Sequence, residues 1–355
     1  MEFTAGGRLE VRINRADVGK RVSVRRRTGT APGAGGFTDT VGVLTSWDAG
    51  VLSITRRDGE SVRIEESALV AGKVVPAAPA RRRGPAAGAR ELDRAAARAW
   101  PPVESARIGE WELRAAGGFT RRANSVLPLG GPGMPLDAAL DQVRAWYRER
   151  GLPAYLQVST GAADTQERLA AELASRGWTR EAVTEVRVAA LAPLADTTAD
   201  LTRVTLSRDI GPAWLRRYRR SARPSPEVLQ VLRGGPSVWF ASVAGPDQGN
   251  GTDPHGTEEV EGTGGAAAPV AIGRCVVDGR WAGFAAVEVD PAHRRRGLAT
   301  AVMAALARKA LDEGASAAYL QVEADNDSAR TFYDGMGFTT HHFHHHWRAS
   351  QGGAH

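Results

Sequence analysis

Three arginines and a glycine stand together in Arg294-Arg295-Arg296-Gly297-Leu298-Ala299-Thr300, between a strand-like run and a helix-like one. The first N–H groups of a helix have no intrahelical partner, and the macrodipole there favours negative charge. The spacing therefore predicts an anion cradle, with Gly297 letting backbone approach a ligand closely. Adjacent guanidinium groups suit a pyrophosphate or a ribose phosphate. Downstream, Asn326, Ala329 and Tyr333 precede Gly337-Phe338. A phenol near its unperturbed pKa of about 10 is protonated at pH 7 and can supply a proton to a leaving anion. Taken alone, Tyr333 reads more readily as a packed aromatic on a short helix. The final segment holds His341, His342, His344, His345 and His346. On a strand, His342, His344 and His346 share one face at a spacing compatible with weak metal binding. No Cys or carboxylate stands beside them, so the expectation is no metal and a surface strand near a substrate cleft.

The elements that would position these residues occur twice. "AYLQV" appears at Ala154 and again at Ala318. The same offset of 164 residues relates Gly133, in "GGPGMPLDAALDQVRAWYRERG", to Gly297, in "RRRGLATAVMAALARKALDEG". Leu136, Leu140, Val143 and Tyr147 mark the apolar face of the first helix, and Val302, Leu306 and Ala310 that of the second. Gly151 and Gly314 end them as C-caps would. "ASRGW" then echoes "DGMGF", four residues out of register. Turn, helix, strand, helix and strand recur in one order, which indicates a duplicated α/β unit. The first turn, "LGGPGMP", lacks arginine, and Pro132 and Pro135 each remove an amide donor. It is expected not to hold a pyrophosphate, and Leu173 or a neighbour stands where the second copy has Tyr333.

With 355 residues, two or three domains are expected. Residues 1–75 contain short Val-, Ile- and Thr-rich runs with the turn signal "RDGE", as in a small all-β barrel of the SH3 type. Residues 76–90 read as an exposed Pro/Ala/Arg linker, residues 91–190 as the first α/β unit and residues 200–348 as the second. Residues 245–269 have almost no core-forming side chain and read as an enlarged hairpin loop without order. The net charge of +6 rests almost wholly on arginine, since Lys20, Lys73 and Lys309 are the only lysines. That matches the coding bias of a GC-rich genome; the lesser alternative is a polyanionic partner, with Arg25, Arg26 and Arg27 as nucleic-acid contacts on the barrel. The lone Cys275 excludes an intrachain disulfide and reads as an inert core thiol. No apolar run reaches the ~20 residues of a membrane helix, and the start lacks a signal-peptide core, so a cytoplasmic location is expected.

Arg294 to Ala299 fits the Gln/Arg-x-x-Gly-x-Gly/Ala signature, and the strand "FAAVEVDP" before it and "YLQVEADNDSARTFYDGMGF" after it supply the expected surroundings. The chain here resembles the GNAT superfamily of acyl-CoA-dependent N-acetyltransferases. The phrases "WELRAAGGFTRRANSV", "PLDAAL" and "GRWAGFAAVEV" are similar to those of an actinobacterial group with a leading barrel, a degenerate GNAT unit and an intact one. The resemblance implies an α/β (α+β) GNAT fold: a mixed central sheet with helices on both faces, duplicated, behind the small barrel. It implies acetyl-CoA as co-substrate, lying between splayed strands 285–289 and 318–322, and an amine acceptor that the sequence does not identify. Amides of residues 295–300 would bind pyrophosphate, backbone at Val287 and Val289 would pair with the pantetheine arm, Asn326 would hydrogen-bond the cofactor, and Ala329 completes the motif. Tyr333 would protonate the leaving thiolate. Glu288 is the first candidate base, Glu323 the second, and a water relay the remaining route. His293 would flank the cofactor. A catalytically silent acyl-CoA-binding module, its barrel contacting nucleic acid or protein, is the alternative. The barrel is expected to be dispensable for cofactor binding.

Overall fold

The computed structural model describes residues 10–28, 36–76, 84–218, 224–245 and 267–350. Five strands make the N-terminal sheet: β1 (Arg21–Thr28), β2 (Gly36–Asp48), β3 (Val51–Thr55), β4 (Ser61–Glu65) and β5 (Leu69–Val74), in the order β4-β3-β2-β1-β5. Alternation sends Val22, Val24, Leu44, Leu52, Ile54 and Ile64 inward, all fully buried. Trp47 closes this core and donates its indole N–H to Glu66 at 3.1 Å. Arg25, one of the three barrel arginines, is held by Asp39 across the β1–β2 pair at 2.7 and 2.8 Å.

The duplicated part begins with α1 (Ala89–Ala99), β6 (Glu104–Ile108), β7 (Trp111–Ala115), β8 (Leu127–Pro128), α2 (Leu136–Glu149), β9 (Tyr155–Thr160), α3 (Glu167–Ser175) and β10 (Thr179–Ala190). It continues with α4 (Leu191–Ala195), β11 (Val204–Ser207), α5 (Pro212–Arg217), α6 (Pro226–Arg233), β12 (Ser237–Val243), β13 (Ala271–Asp278), β14 (Trp281–Val289), α7 (Leu298–Asp312), β15 (Ala317–Glu323), α8 (Asp327–Gly335) and β16 (Thr339–Arg348). β12 and β13 pair as a hairpin, as expected; residues 246–266 between them lie outside the described residues.

The two units exchange their last strands. The main sheet runs β11-β12-β13-β14-β15-β10-β16-β9. β10, from the first unit, lies beside β15 of the second, and β16 lies beside β9 of the first. α3 and α8 are related by 160 residues, the offset of the shifted echo in the sequence. Thr184 and His344, also 160 apart, face each other in the antiparallel β10–β16 pair, so a pseudo-twofold axis passes between them. One face of the sheet carries α1, α5 and α6 over Val186, Val188, Phe240 and Ile272. The other carries α4 and α7, with Val302, Met303 and Leu306 packed on Ala318, Leu320 and Phe284, and the inner side of α8.

The barrel is docked, not merely tethered. Arg57, in the β3–β4 turn, donates to the carbonyls of Thr340 and His341 at 3.0 and 3.1 Å, and its own carbonyl accepts from the Thr160 hydroxyl at 2.9 Å. Arg180 donates to the Asp58 carbonyl at 3.0 Å. The described end of the linker is anchored too: His341 Nε2 lies 3.0 Å from the Ala87 carbonyl, and Asp164 accepts the Ala89 and Arg90 amides that open α1. The reading of residues 76–90 as a merely exposed linker is corrected at their described end, and removal of the barrel would strip partners from β9 and β16. Gly59 marks a close approach, with φ +76° and a position where a Cβ would lie 2.6 Å from His345 Nε2. Gly59→Ala should cost about 1–3 kcal/mol, from backbone strain plus the clash, and lower Tm by several degrees. Thermal unfolding followed by circular dichroism checks this; an unchanged Tm would mean that the docking adds nothing to stability.

Candidate active site

β14 and β15 are parallel and hydrogen-bonded only from Trp281–Ala317 to Phe284–Leu320, then part. At the point of parting β14 is bulged against β13, and Ala286 adopts φ +52°. A left-handed alanine costs about 1–2 kcal/mol, so packing around the bulge must hold it there. Val287 and Val289 pack on the α7 side. Glu288 stands opposite Ile272, a core residue of the α1/α5/α6 side, so its side chain faces that side. The gap between the strands thus has Glu288 on one face and α7 and α8 on the other. Glu323, at the exposed end of β15, pairs in register with Thr184.

The arginine turn closes one end of the gap. Asp290 accepts the Ala292 amide at 2.9 Å and is bridged by Arg217 of α5 at 2.7 Å, which fixes the short 3-10 turn Pro291–His293. His293 lies 3.5 Å from the same carboxylate. Arg295 and Gly297 then take φ +61° and +74°, turning the chain into α7 with Gly297 as N-cap. Nothing lies within 4 Å of the place a Gly297 Cβ would occupy. The side chains of Arg294, Arg295 and Arg296 are exposed, and among the described residues none has a carboxylate partner. Open amides of Leu298, Ala299 and Thr300, with three uncommitted guanidiniums beside them, suit a multiply charged anion. The equivalent turn of the first unit is filled from within. Glu110 accepts the Gly131 amide at 3.1 Å, and a Cβ on Gly130 would run into its carboxylate. A negative group of the protein thus occupies an amide of this turn, which in the second unit is left open.

α8 flanks the gap from β15. Asn326 is its N-cap, its Oδ1 accepting the Ala329 amide at 3.1 Å, which leaves the Nδ2 donor for a ligand. Tyr333 is half-buried among Phe332 and Phe338, with ring centroids 5.2 and 5.7 Å away. Among the described residues its hydroxyl has no hydrogen-bond partner. Burial pushes its pKa up to about 12, against the opposing pull of the Arg187 charge. Tyr333, Ala329, Leu298, Val287 and Val289 all rest on one apolar cluster, so the structure gathers these five expected site residues round the gap. Leu173 holds the position related to Tyr333 by the pseudo-twofold axis and is fully buried.

The histidines are corrected. β16 is an internal strand covered by α1, so His342, His344 and His346 are buried rather than on a surface. Asp93 of α1 joins them, which the sequence reading missed; Asp93 shares the stripe of Ala89, Leu92, Ala96 and Ala99, and a carboxylate there signals a buried partner. Asp93 Oδ1 lies 3.1 Å from His342 Nε2 and 2.6 Å from His344 Nε2, a grouping that could enclose an ion. Hydrogen-bond logic assigns it otherwise. Arg114 can only donate, so the Gln157 atom 3.1 Å from it is the oxygen. Gln157 Nε2 must then donate to His344 Nδ1 at 3.1 Å, which places the proton of neutral His344 on Nε2, directed at Asp93 and not available for a metal. Ser159 donates to the second Asp93 oxygen at 2.7 Å. His344 and His342 hold the Asp93 carboxyl well below the usual carboxylate range despite burial.

Burial also lowers the pKa of His341, His344, His345 and His346, that of His345 to about 3. His345 and His346, the most strongly lowered, are neutral when folded and gain a proton on unfolding once the pH falls below about 6.5, so their stabilisation is present above that pH and is lost as it falls. Stability should therefore drop by about 1.4 kcal/mol per pH unit for each titrating histidine. Asp93 contributes no decline until the pH nears 4. A Tm profile flat from pH 7 to 5 would contradict these neutral burials.

The splayed strands, bulge, cradle and tyrosine helix meet an acetyltransferase family in the comparisons with known proteins. The model described as "Probable histone acetyltransferase Rv0428c C-terminal" matches residues 86–347, well over half of the chain. The chain belongs to this family. "Probable histone acetyltransferase Rv0428c" of Mycobacterium tuberculosis is 29% identical over 336 residues, covering 92% of this chain and 93% of that protein. "Uncharacterized N-acetyltransferase YobR" of Bacillus subtilis is 26% identical over 263 residues, covering 72% and 96%. Two solved structures share the fold at 16% identity: a GCN5-related N-acetyltransferase from Kribbella flavida, with TM-score 0.51 over 75% of this chain and 96% of that one, and a tandem GNAT protein from the clavulanic acid biosynthesis pathway, with TM-score 0.52 over 77% and 91%. The protein is a GNAT-fold acyltransferase. Among the described residues no helix is long and apolar enough to cross a membrane.

Proposed function

We propose that the second unit binds acetyl-CoA in the gap between β14 and β15 and moves the acetyl group directly to a primary amine. The observation that carries this reading is the pairing of an open, arginine-flanked helix N-terminus with a protonated tyrosine on one gap, while Glu110 and Leu173 stand at the matching places of the first unit. In this reading the amides of residues 295–300 and the three arginines hold the pyrophosphate. Backbone at Val287 and Val289 pairs with the pantetheine arm, and an N–H there takes up negative charge on the carbonyl oxygen during attack. Asn326 Nδ2 donates to the co-substrate. Glu288 faces the side covered by α1, α5 and α6, so the amine enters there and loses its proton to Glu288 directly or through water. Tyr333, on the opposite side, returns a proton to the departing thiolate. Entry on one face and exit on the other suits a single transfer with both substrates bound.

The name of the mycobacterial relative supports a protein lysine as the first acceptor to try. Labelled acetyl-CoA incubated with core histones, and with a panel of small primary amines, tests the function. Label should appear on a primary amine, with one CoA thiol released per acetyl group transferred. Thiol release that never exceeds hydrolysis with any amine would contradict the transferase reading.

A further inference from the structure

β10 belongs by chain order to the unit without a cradle, yet lies between β15 and β16. Val186 and Val188 point to the α1 side, which leaves Glu185 and Arg187 pointing towards α8. Both are buried, with side chains 4–5% exposed. Arg187 donates to the Arg330 carbonyl at 3.0 Å, to the Phe338 carbonyl at 3.3 Å, and to the Asp334 carboxylate. Its Nε lies 3.5 Å from Glu185 Oε2. Glu185 in turn pairs with Arg330 at 2.9 Å and accepts from the Thr340 hydroxyl at 2.8 Å. Apart from Glu185, every Arg187 partner falls within residues 330–338, the stretch carrying Tyr333.

Burying a guanidinium costs several kcal/mol unless its donors are used, and an apolar residue usually fills such a place at less cost. The related position in the other half shows that alternative: Trp347, 160 residues later, packs in an apolar cluster with Leu173 and Trp178. The half whose helix carries leucine is held by an apolar side chain, and the half whose helix carries tyrosine by a buried ion pair.

We propose that Arg187 is a positioning residue for the transfer reaction: the unit that lacks a cradle lends a strand whose guanidinium sets α8 so that the Tyr333 hydroxyl faces the gap. This rests on the reading of Tyr333 as the acid. Arg187→Met keeps the bulk and leaves Glu185 paired with Arg330; Arg187→Lys keeps one charge and tests the same point if the methionine variant folds poorly. CoA thiol release from acetyl-CoA is measured with core histones and with no amine, so the full-length protein gives a rate in either case. Arg187→Met should lower kcat at least tenfold with KM for acetyl-CoA within twofold, and Arg187→Lys should recover part of the loss. Because Arg187 acts through Tyr333, Arg187→Met/Tyr333→Phe should be no slower than Tyr333→Phe alone. Losses that multiply in the double variant, a KM that rises as kcat falls, or an unchanged Arg187→Met rate would each overturn the proposal. A Tyr333→Phe rate equal to wild type would instead remove the acid reading beneath it.

Discussion

Tyr333→Phe is expected to lower kcat by about 10²-fold, equivalent to about 2.7 kcal/mol of lost transition-state stabilisation, and to leave acetyl-CoA affinity almost unchanged. The ring packing with Phe332 and Phe338 survives the substitution, and the hydroxyl it removes bonds to no described residue. The cost should therefore fall on proton transfer rather than on folding. Acyl donors whose thiols leave more readily need less protonation, so the deficit should shrink with them. The raised pKa, about 12, keeps the phenol protonated beyond pH 10, so Tyr333 should add no alkaline fall in rate below that pH. Steady-state rates on the amine with the highest turnover check both points. A near-normal kcat would make Tyr333 a packing residue, with the thiolate leaving unaided or through water.

The local parts of this site are legible in the sequence because each depends on near neighbours. Gly297 needs a left-handed turn, Asn326 caps the helix that follows it, and Tyr333 lies one helix length downstream. The duplication is legible for the same reason, since each unit keeps its own periodicity. What the sequence leaves dark is what crosses between units. A strand pattern states which residues alternate but not which strand lies alongside, so the exchange of β10 and β16 is invisible. With it goes the role of Arg187, which reads as one more arginine in an arginine-rich chain. The histidine run misleads likewise: polar residues at period two suggest an exposed face, and only Asp93, far away in sequence, reveals that His342 and His344 are buried against a partner. Glu110 is unreadable because its partner, the Gly131 amide, is set by a fold-back of backbone. The barrel was legible as short Val-, Ile- and Thr-rich runs, but its docking through Arg57 was not, since that turn bonds to carbonyls that any sequence possesses.

Gly297→Pro should abolish acetyl-CoA binding, lowering affinity by at least about 100-fold. Proline fixes φ near −65° where the chain needs +74°, and it deletes one amide of the cradle. Isothermal titration of the full-length protein with acetyl-CoA tests the central claim most directly, that one unit alone holds the co-substrate. The expected result is one site per chain in the wild type and no heat of binding in Gly297→Pro, with the variant's far-ultraviolet circular dichroism unchanged. Two sites per chain, or a site that persists in Gly297→Pro, would contradict it.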